Sequence, residues 1–286
     1  MTQPHDSHSL RFESPVALVT GGSAGLGTAI AQALLNRNYH VLIVGRDSER
    51  LRLTADRLTS EEDRTDSSAV RLHQYACDVT NLDEVAKLAE FVSDRFGRLD
   101  VLVNVVGQSD RGLASEITLK RIDELVRLNV HSTVICTKAL LPLIRENRGS
   151  VVNIGSLASK IPARYLGGYC LAKHALCGWT DQLSLEMRQH NVHVGLVCPG
   201  PIARQDAGHR YDKLLADDLP PEAAAPGGGA KIKGLPPQKV ADAVVDCIAK
   251  RKREVILPGK ARLLIILRAI FPDWGDRILL RMTSGN

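Results

Sequence analysis

The stretch PVALVTGGSAGLGTAIAQALLN, residues Pro15–Asn36, decides how the chain folds. Pro15 to Thr20 is a short apolar run, the length of a buried parallel strand. Thr28 to Asn36 is an apolar helix. Between them, Thr20-Gly21-Gly22-Ser23-Ala24-Gly25-Leu26-Gly27 is a glycine-rich turn. Such a turn lets backbone N–H groups approach a pyrophosphate at the positive end of a helix. The spacing is T-G-x-x-x-G-x-G and not the commoner G-x-G-x-x-G. A tight strand–helix turn without a ligand is the competing reading.

Downstream the alternation of strand and helix continues. His40 to Val44 is a second strand, followed by Gly45 and Arg46 where many nucleotide folds carry a carboxylate for the adenosine ribose. A guanidinium there suits a 2′-phosphate, because its fork of donors matches phosphate oxygens. NADP(H) is therefore favoured over NAD(H); Arg46 opening the next helix, with Asp47 or Ser48 as N-cap, is the plainer alternative. A charged helix spans Ser48 to Leu58, and a polar, acidic loop follows from Thr59 to Ser68. Strand three runs Val70 to Cys77 and ends at Asp78-Val79. Asn81 caps a helix reaching Phe96, and Leu99 to Val106 is strand four. One long helix is expected over Ile117 to Leu143, ended by Pro142 and the Asn147-Arg148-Gly149 turn, with Asn129 near its middle. Ser150 to Ile154 and Val192 to Cys198 are strands five and six, Pro237 to Lys252 a helix, and Glu254 to Leu257 a last strand.

Between strands five and six, Gly167 to Gln189 reads as an amphipathic helix through Leu171, Ala175, Leu176, Trp179, Leu183 and Leu185. Residues four apart share a helix face, so Tyr169 and Lys173 can point into one pocket; taken alone, a pair of surface and boundary residues is the plainer reading. A phenol titrates near ~10 in water. A cation beside it favours the phenolate and makes it a usable general acid or base. Ser156 follows strand five, at the sheet edge where open α/β folds bind ligands.

The 286 residues are 44% hydrophobic, 24% charged and 4% aromatic, an ordinary soluble composition that argues against a base-stacking nucleic-acid platform. The net charge of +5 gathers late, in Lys250-Arg251-Lys252-Arg253 and then Lys260, Arg262, Arg268, Arg277 and Arg281. That is either a solvated face or an attraction for acidic lipid. The six cysteines show no C-x-x-C spacing and read as small buried residues of a reducing compartment, with no metal site. Met1 to Glu13 is polar with no apolar core of a signal peptide, so a cytoplasmic protein is expected.

Taken in order, the Thr20–Gly27 loop, Asp78, Asn104-Val105-Val106-Gly107, Ser156 and Tyr169-x-x-x-Lys173 resemble the short-chain dehydrogenase/reductase family. The resemblance runs from about residue 14 to residue 202, more loosely to residue 257. It implies a Rossmann-like, doubly wound parallel α/β sheet in a single catalytic domain, residues 14–258. It also implies that Tyr169 exchanges a proton with the substrate oxygen, Lys173 lowers its pKa and holds the nicotinamide ribose, and Ser156 fixes the carbonyl. Asn129 corresponds to the family's helix Asn, whose backbone carbonyl positions a water for proton relay through Lys173. For the cofactor it implies Gly21, Ser23, Gly25, Leu26 and Gly27 at the phosphates, Arg46 at the 2′-phosphate, and Asp78 with Val79 at the adenine. Asn104, Pro199, Gly200 and Ile202, with Tyr169 and Lys173, take the ribose and nicotinamide ends. Two positions depart from the family: Asn104-Val105-Val106-Gly107 stands where N-N-A-G is common, and Arg204 lies where a Thr often follows Pro199-Gly200.

Residues 203–236 form a long loop that reads as a lid, with a disordered insertion the competing reading for residues 220 to 234. The tail, 259–286, is an apolar and basic helical extension, too short and charged to span a bilayer. It either caps the substrate pocket, packs in a dimer, or lies in a membrane interface. Its likeness to the lipid- and steroid-active branches suggests a small hydrophobic substrate. The expected activity is the NADP(H)-dependent interconversion of a ketone and a secondary alcohol in a homo-oligomer. A cofactor-binding regulatory protein without turnover is the alternative from another class.

Overall fold

Strand β1 (Val16–Thr20) is wholly buried and sits centrally in the sheet. It pairs in parallel with β2 (His40–Gly45) on one side and β4 (Val101–Asn104) on the other, Val19 facing Ile43 and Val103. With β3 (Leu72–Ala76), β5 (Ser150–Ile154), β6 (His193–Pro199) and β7 (Glu254–Leu257), a parallel seven-stranded sheet forms in the order β3-β2-β1-β4-β5-β6-β7. The computed structural model describes residues 14–59, 71–203 and 234–283, with Leu219, Ala223 and Gly227. After β3 the chain crosses back over β1 to start β4. That reversal opens a crevice at the carboxyl edge of the sheet, between the two strands where the order turns.

Helices cover both faces, as the near-continuous apolar strands require. Helices α1 (Gly25–Leu35), α2 (Ser48–Leu58) and α7 (Pro237–Ala249) bury Ile30, Leu34, Leu51, Val240 and Val244 against one side. Helices α3 (Leu82–Phe96), α5 (Ser132–Glu146) and α6 (Tyr169–Met187) bury Val85, Leu88, Phe96, Leu140 and Leu183 against the other. Side-chain caps set two of the starts: Asp47 accepts from Arg50 N, and Asn81 accepts from the amides of Asp83 and Glu84. Helices α8 (Ala261–Ile270) and α9 (Pro272–Thr283) follow β7 and lie against each other beside the sheet edge.

The helix expected over Ile117 to Leu143 is not continuous. Helix α4 (Leu119–Val126) runs into a π-helical turn, Arg127–His131, before α5 begins. Pro142 lies inside α5 and does not end it; the helix continues to Glu146, and the Asn147–Gly149 turn closes it. Strands three and four are shorter than the apolar runs suggested, because backbone pairing, not apolar character, sets their ends. All six cysteines are free thiols, and burial pushes Cys77, Cys198 and Cys247 up to about 12. Most of 203–236, Arg204 included, and most of the acidic 59–68 loop lie outside the described residues.

Candidate active site

A cleft of about 1660 Å³ opens at the carboxyl edge of the sheet. The glycine turn forms one end. Gly21 and Gly25 take positive φ angles of +66° and +53°, which turn the chain sharply from β1 into α1. Gly27 is required for space, since a Cβ there would collide with the Gly21 carbonyl. The Thr28 hydroxyl donates to the Gly22 carbonyl at 3.0 Å and ties the turn to the helix. Ala24, the N-cap, has no side chain to cap α1, and the first turn holds no acidic residue. The first amides of the helix therefore keep their positive end for a ligand. This cradle fits the pyrophosphate of a dinucleotide: backbone donors, room for close approach, and no competing carboxylate. Thr20 braces the facing wall, its Oγ1 accepting from the amide of Val105 at 3.0 Å.

The same cleft collects Ser156, Tyr169 and Lys173. Tyr169 opens α6, and one turn on the Lys173 Nζ lies 5.9 Å from the centre of its ring. Lys173 is only 3% exposed and donates to the Ile154 carbonyl at the end of β5, at 2.9 Å. Burial brings its ammonium down from 10.5 to about 8, a little offset by Cys198, so at neutral pH the charge is retained. Ser156 sits in extended backbone and caps a short 3₁₀ turn, Leu157–Ser159; its Oγ accepts from the Ala158 amide at 3.1 Å. An N–H donated into the oxygen steers the hydroxyl proton away from the turn, so that it can be given to a ligand.

Asn129 lies within the π turn and is fully buried. Its Oδ1 accepts from the Gln108 amide at 3.1 Å, and its Nδ2 donates to the carbonyls of Gln108 (3.1 Å) and Leu125 (2.9 Å). The side chain thus stitches the loop after β4 to the helix. A Cβ on Gly107 would stand 2.6 Å from Asn129 Oδ1 and 3.3 Å from Lys173 Nζ, so both approach the same residue. π turns inside helices recur at functional sites, where they re-aim backbone groups.

Arg46, Asp78 and Val79 also line the cleft, with Ser23, Leu26 and the glycines. Burial works against the Asp78 charge. Two hydrogen bonds from Thr80 and the fields of Arg46 and Arg127 outweigh it, and the carboxyl titrates below its ordinary value. Pro199, Gly200 and Ile202 border the far end. Asn104 ends β4 beside the cleft. Its side chain does not face the cleft but turns into a buried ladder, donating to Thr137 Oγ1 at 3.1 Å and Asn153 Oδ1 at 2.9 Å. Asn153 continues the ladder to Thr180 at 3.0 Å. As the last residue of β4, Asn104 alternates inward where its neighbours on β5 offer partners.

Sequence reasoning missed Gln108, Ser109 and Arg111, which line the wall from the loop after β4. Leu264, Leu267, Ile278 and Met282 line it from α8 and α9, the tail for which capping the pocket is one of the expected alternatives. Among the described residues no helix is long and apolar enough to cross a membrane.

Known proteins share this arrangement. The profile of the short chain dehydrogenase family matches residues 15–213. A dehydrogenase/reductase SDR family member 7B of Xenopus laevis is 29% identical over 274 residues, covering 91% of this chain and 79% of that protein. A putative ketoacyl reductase of Streptomyces coelicolor is 31% identical over 207 residues, covering 70% of this chain and 77% of its own. An actinorhodin polyketide ketoreductase variant solved with NADPH superposes with a TM-score of 0.71 at 28% identity, over 86% of this chain and 96% of that one. A short-chain dehydrogenase structure from Streptomyces avermitilis superposes at 0.74 with 28% identity, over 92% and 97%. With the profile spanning most of the chain and the sheet order, glycine turn and Tyr169–Lys173 pair in register behind it, this protein belongs to the short-chain dehydrogenase/reductase family and is an NAD(P)-dependent oxidoreductase.

Proposed function

We propose that the protein interconverts a ketone and a secondary alcohol on a hydrophobic, acyl-, lipid- or steroid-like substrate, with NADP(H) as its cofactor. The observation that carries this reading is the cleft itself: Ser156, Tyr169 and Lys173, the glycine turn, and the apolar Leu264, Leu267, Ile278 and Met282 line one cavity. Relatives named as ketoacyl reductases and neighbours solved with NADPH point the same way.

Gly21, Ser23, Gly25, Leu26 and Gly27 would hold the phosphates, Arg46 the 2′-phosphate, Asp78 and Val79 the adenine. Tyr169, Lys173, Pro199, Gly200 and Ile202 would hold the nicotinamide end. When bound, NADPH supplies the hydride. The chain's own groups then handle the proton. Ser156 donates its hydroxyl hydrogen to the substrate carbonyl and fixes its direction. Tyr169 gives its phenolic proton to the same oxygen as negative charge develops there. The Lys173 ammonium stabilises the phenolate left behind, and in a site this dry its field is strong. Reprotonation passes through Lys173, with the backbone carbonyl of Asn129 holding a water in line. In the same reading the protein works as a homo-oligomer on the cytoplasmic side, with residues 260–286 in contact with a membrane surface.

The test is NADPH oxidation against a panel of apolar ketones, with Tyr169→Phe beside the wild type. The variant is expected to lose about 10²–10⁴-fold in kcat, the share a positioned general acid supplies. Its affinity for NADPH should stay within a few-fold of the wild type, by fluorescence titration. Turnover retained by Tyr169→Phe removes the phenol from the mechanism.

A further inference from the structure

Helices α8 and α9 have two apolar faces. One looks inward, where Leu264, Leu267, Ile278 and Met282 border the cleft. The two helices are tied to each other where Gly275 leaves room for the Arg268 side chain, whose Nε donates to Asp276 at 2.7 Å. Among the described residues the other face has no partner. At the turn between the helices Ile270, Phe271 and Trp274 are 63%, 56% and 65% exposed, side by side, with Ile266 and Leu263 continuing the strip toward the cleft mouth. Large apolar side chains clustered in this way mark a contact surface, where single ones would not.

The charges around the strip narrow the partner. Arg277 and Arg281 are exposed there against a single exposed acid, Asp273, since Asp276 is taken by Arg268; Lys260, which also lines the cleft, and Arg262, which pairs with Glu254 at 3.8 Å, add to the positive side. A second copy of the chain would bring the same excess of positive charge to a two-fold contact, so like would face like. An anionic bilayer surface accepts both features at once. Aromatic and aliphatic groups enter the headgroup boundary, and basic side chains reach lipid phosphates. At ten and twelve residues the helices are too short to cross a bilayer, but suited to lying in its surface.

We infer that the α8–α9 pair docks the protein on an anionic phospholipid membrane, Ile270, Phe271 and Trp274 entering the lipid while Leu263 places the cleft mouth against it. This deepens the proposed function and rests on it for the identity of the cargo: an apolar ketone would pass from lipid to cleft without crossing water.

The full chain, loaded with NADPH, is mixed with vesicles of phosphatidylcholine plus phosphatidylglycerol, and with vesicles of phosphatidylcholine alone. Co-sedimentation is expected with the first and not the second, and is expected to fall as salt rises. Trp274 and Trp179 are the only tryptophans, so a Trp179→Phe variant reports Trp274 alone, and its emission should shift to the blue on anionic vesicles. Phe271→Ser with Trp274→Ser should partition about tenfold or more weaker, as the loss of two large apolar groups from the interface implies. Those residues do not line the cleft, so turnover of a small water-soluble ketone should be unchanged. An unshifted Trp274 emission, equal partition of the double variant, or equal binding to neutral vesicles overturns the inference. So does a dimer that the double variant splits while vesicles remain unbound, which assigns the face to a second copy. Docking with no ketone turned over would leave the inference standing and remove the proposed function alone.

Discussion

Replacing Lys173 by Met deletes a charge that folding has carried out of water. In the folded protein burial brings the ammonium from 10.5 to about 8. Below the folded value the group is charged both folded and unfolded, and the native state carries the whole desolvation cost, ~3 kcal/mol by linkage. As pH rises through about 8 the native protein releases the proton while the unfolded chain keeps it until 10.5. Native stability from this group therefore climbs across that window and is lost again as pH falls through about 8. Met does not titrate. The broken hydrogen bond to the Ile154 carbonyl, 2.9 Å in the structure, and the changed packing shift the variant by a constant wherever Tyr169 keeps its proton in both proteins. The comparison is urea unfolding of cofactor-free wild type and Lys173→Met from about pH 7 to about pH 10. Across it, the difference between the two should move by ~2–3 kcal/mol in favour of the wild type. A difference that stays flat, or moves the other way, would show that the ammonium is not desolvated and would refute the reasoning.

Two further substitutions separate the cofactor's ends. Arg46→Ala should weaken NADPH by about 10–100-fold, the value of one or two charge-assisted hydrogen bonds to phosphate, and leave NADH nearly unchanged. Equal losses for both cofactors in steady-state kinetics would place Arg46 away from the 2′-phosphate. Gly27→Ala should abolish cofactor binding and cost ~1–3 kcal/mol of stability, because its Cβ meets the Gly21 carbonyl and either the turn or the helix must shift. Calorimetric titration with NADPH measures the first and thermal unfolding the second; wild-type affinity in the variant would show that the turn is looser than its geometry.

The parts legible in the sequence were those with a local cause. An apolar strand, a glycine turn and an apolar helix in immediate succession leave few alternatives, and β1, the turn and α1 stand where Pro15–Asn36 put them. Tyr169 and Lys173 share a face because a helix repeats every 3.6 residues, and α6 supplies that helix. The parts not legible had distant causes. The π turn at Arg127–His131 depends on Asn129 bonding to Gln108, which lies across the cleft loop and carries no pattern in the chain around it. Asn104 matched a family motif, yet which way its amide points was settled by Thr137 and Asn153, residues 33 and 49 positions away. Arg111 gave no signal at all; only the path of the loop after β4 brings it to the wall.

The bond from Lys173 to the Ile154 carbonyl has one more result. It fastens Lys173 to the end of β5 in the buried sheet, while part of the cleft wall hangs from the last two helices, after the final strand. The two pieces still touch: Ala261 and Ile265 of α8 pack against the cluster that holds Leu157, the residue after Ser156, and Ile256 of β7. A chain that exchanged its terminal pair would therefore reshape the wall and press on the turn beneath Ser156 in the same step.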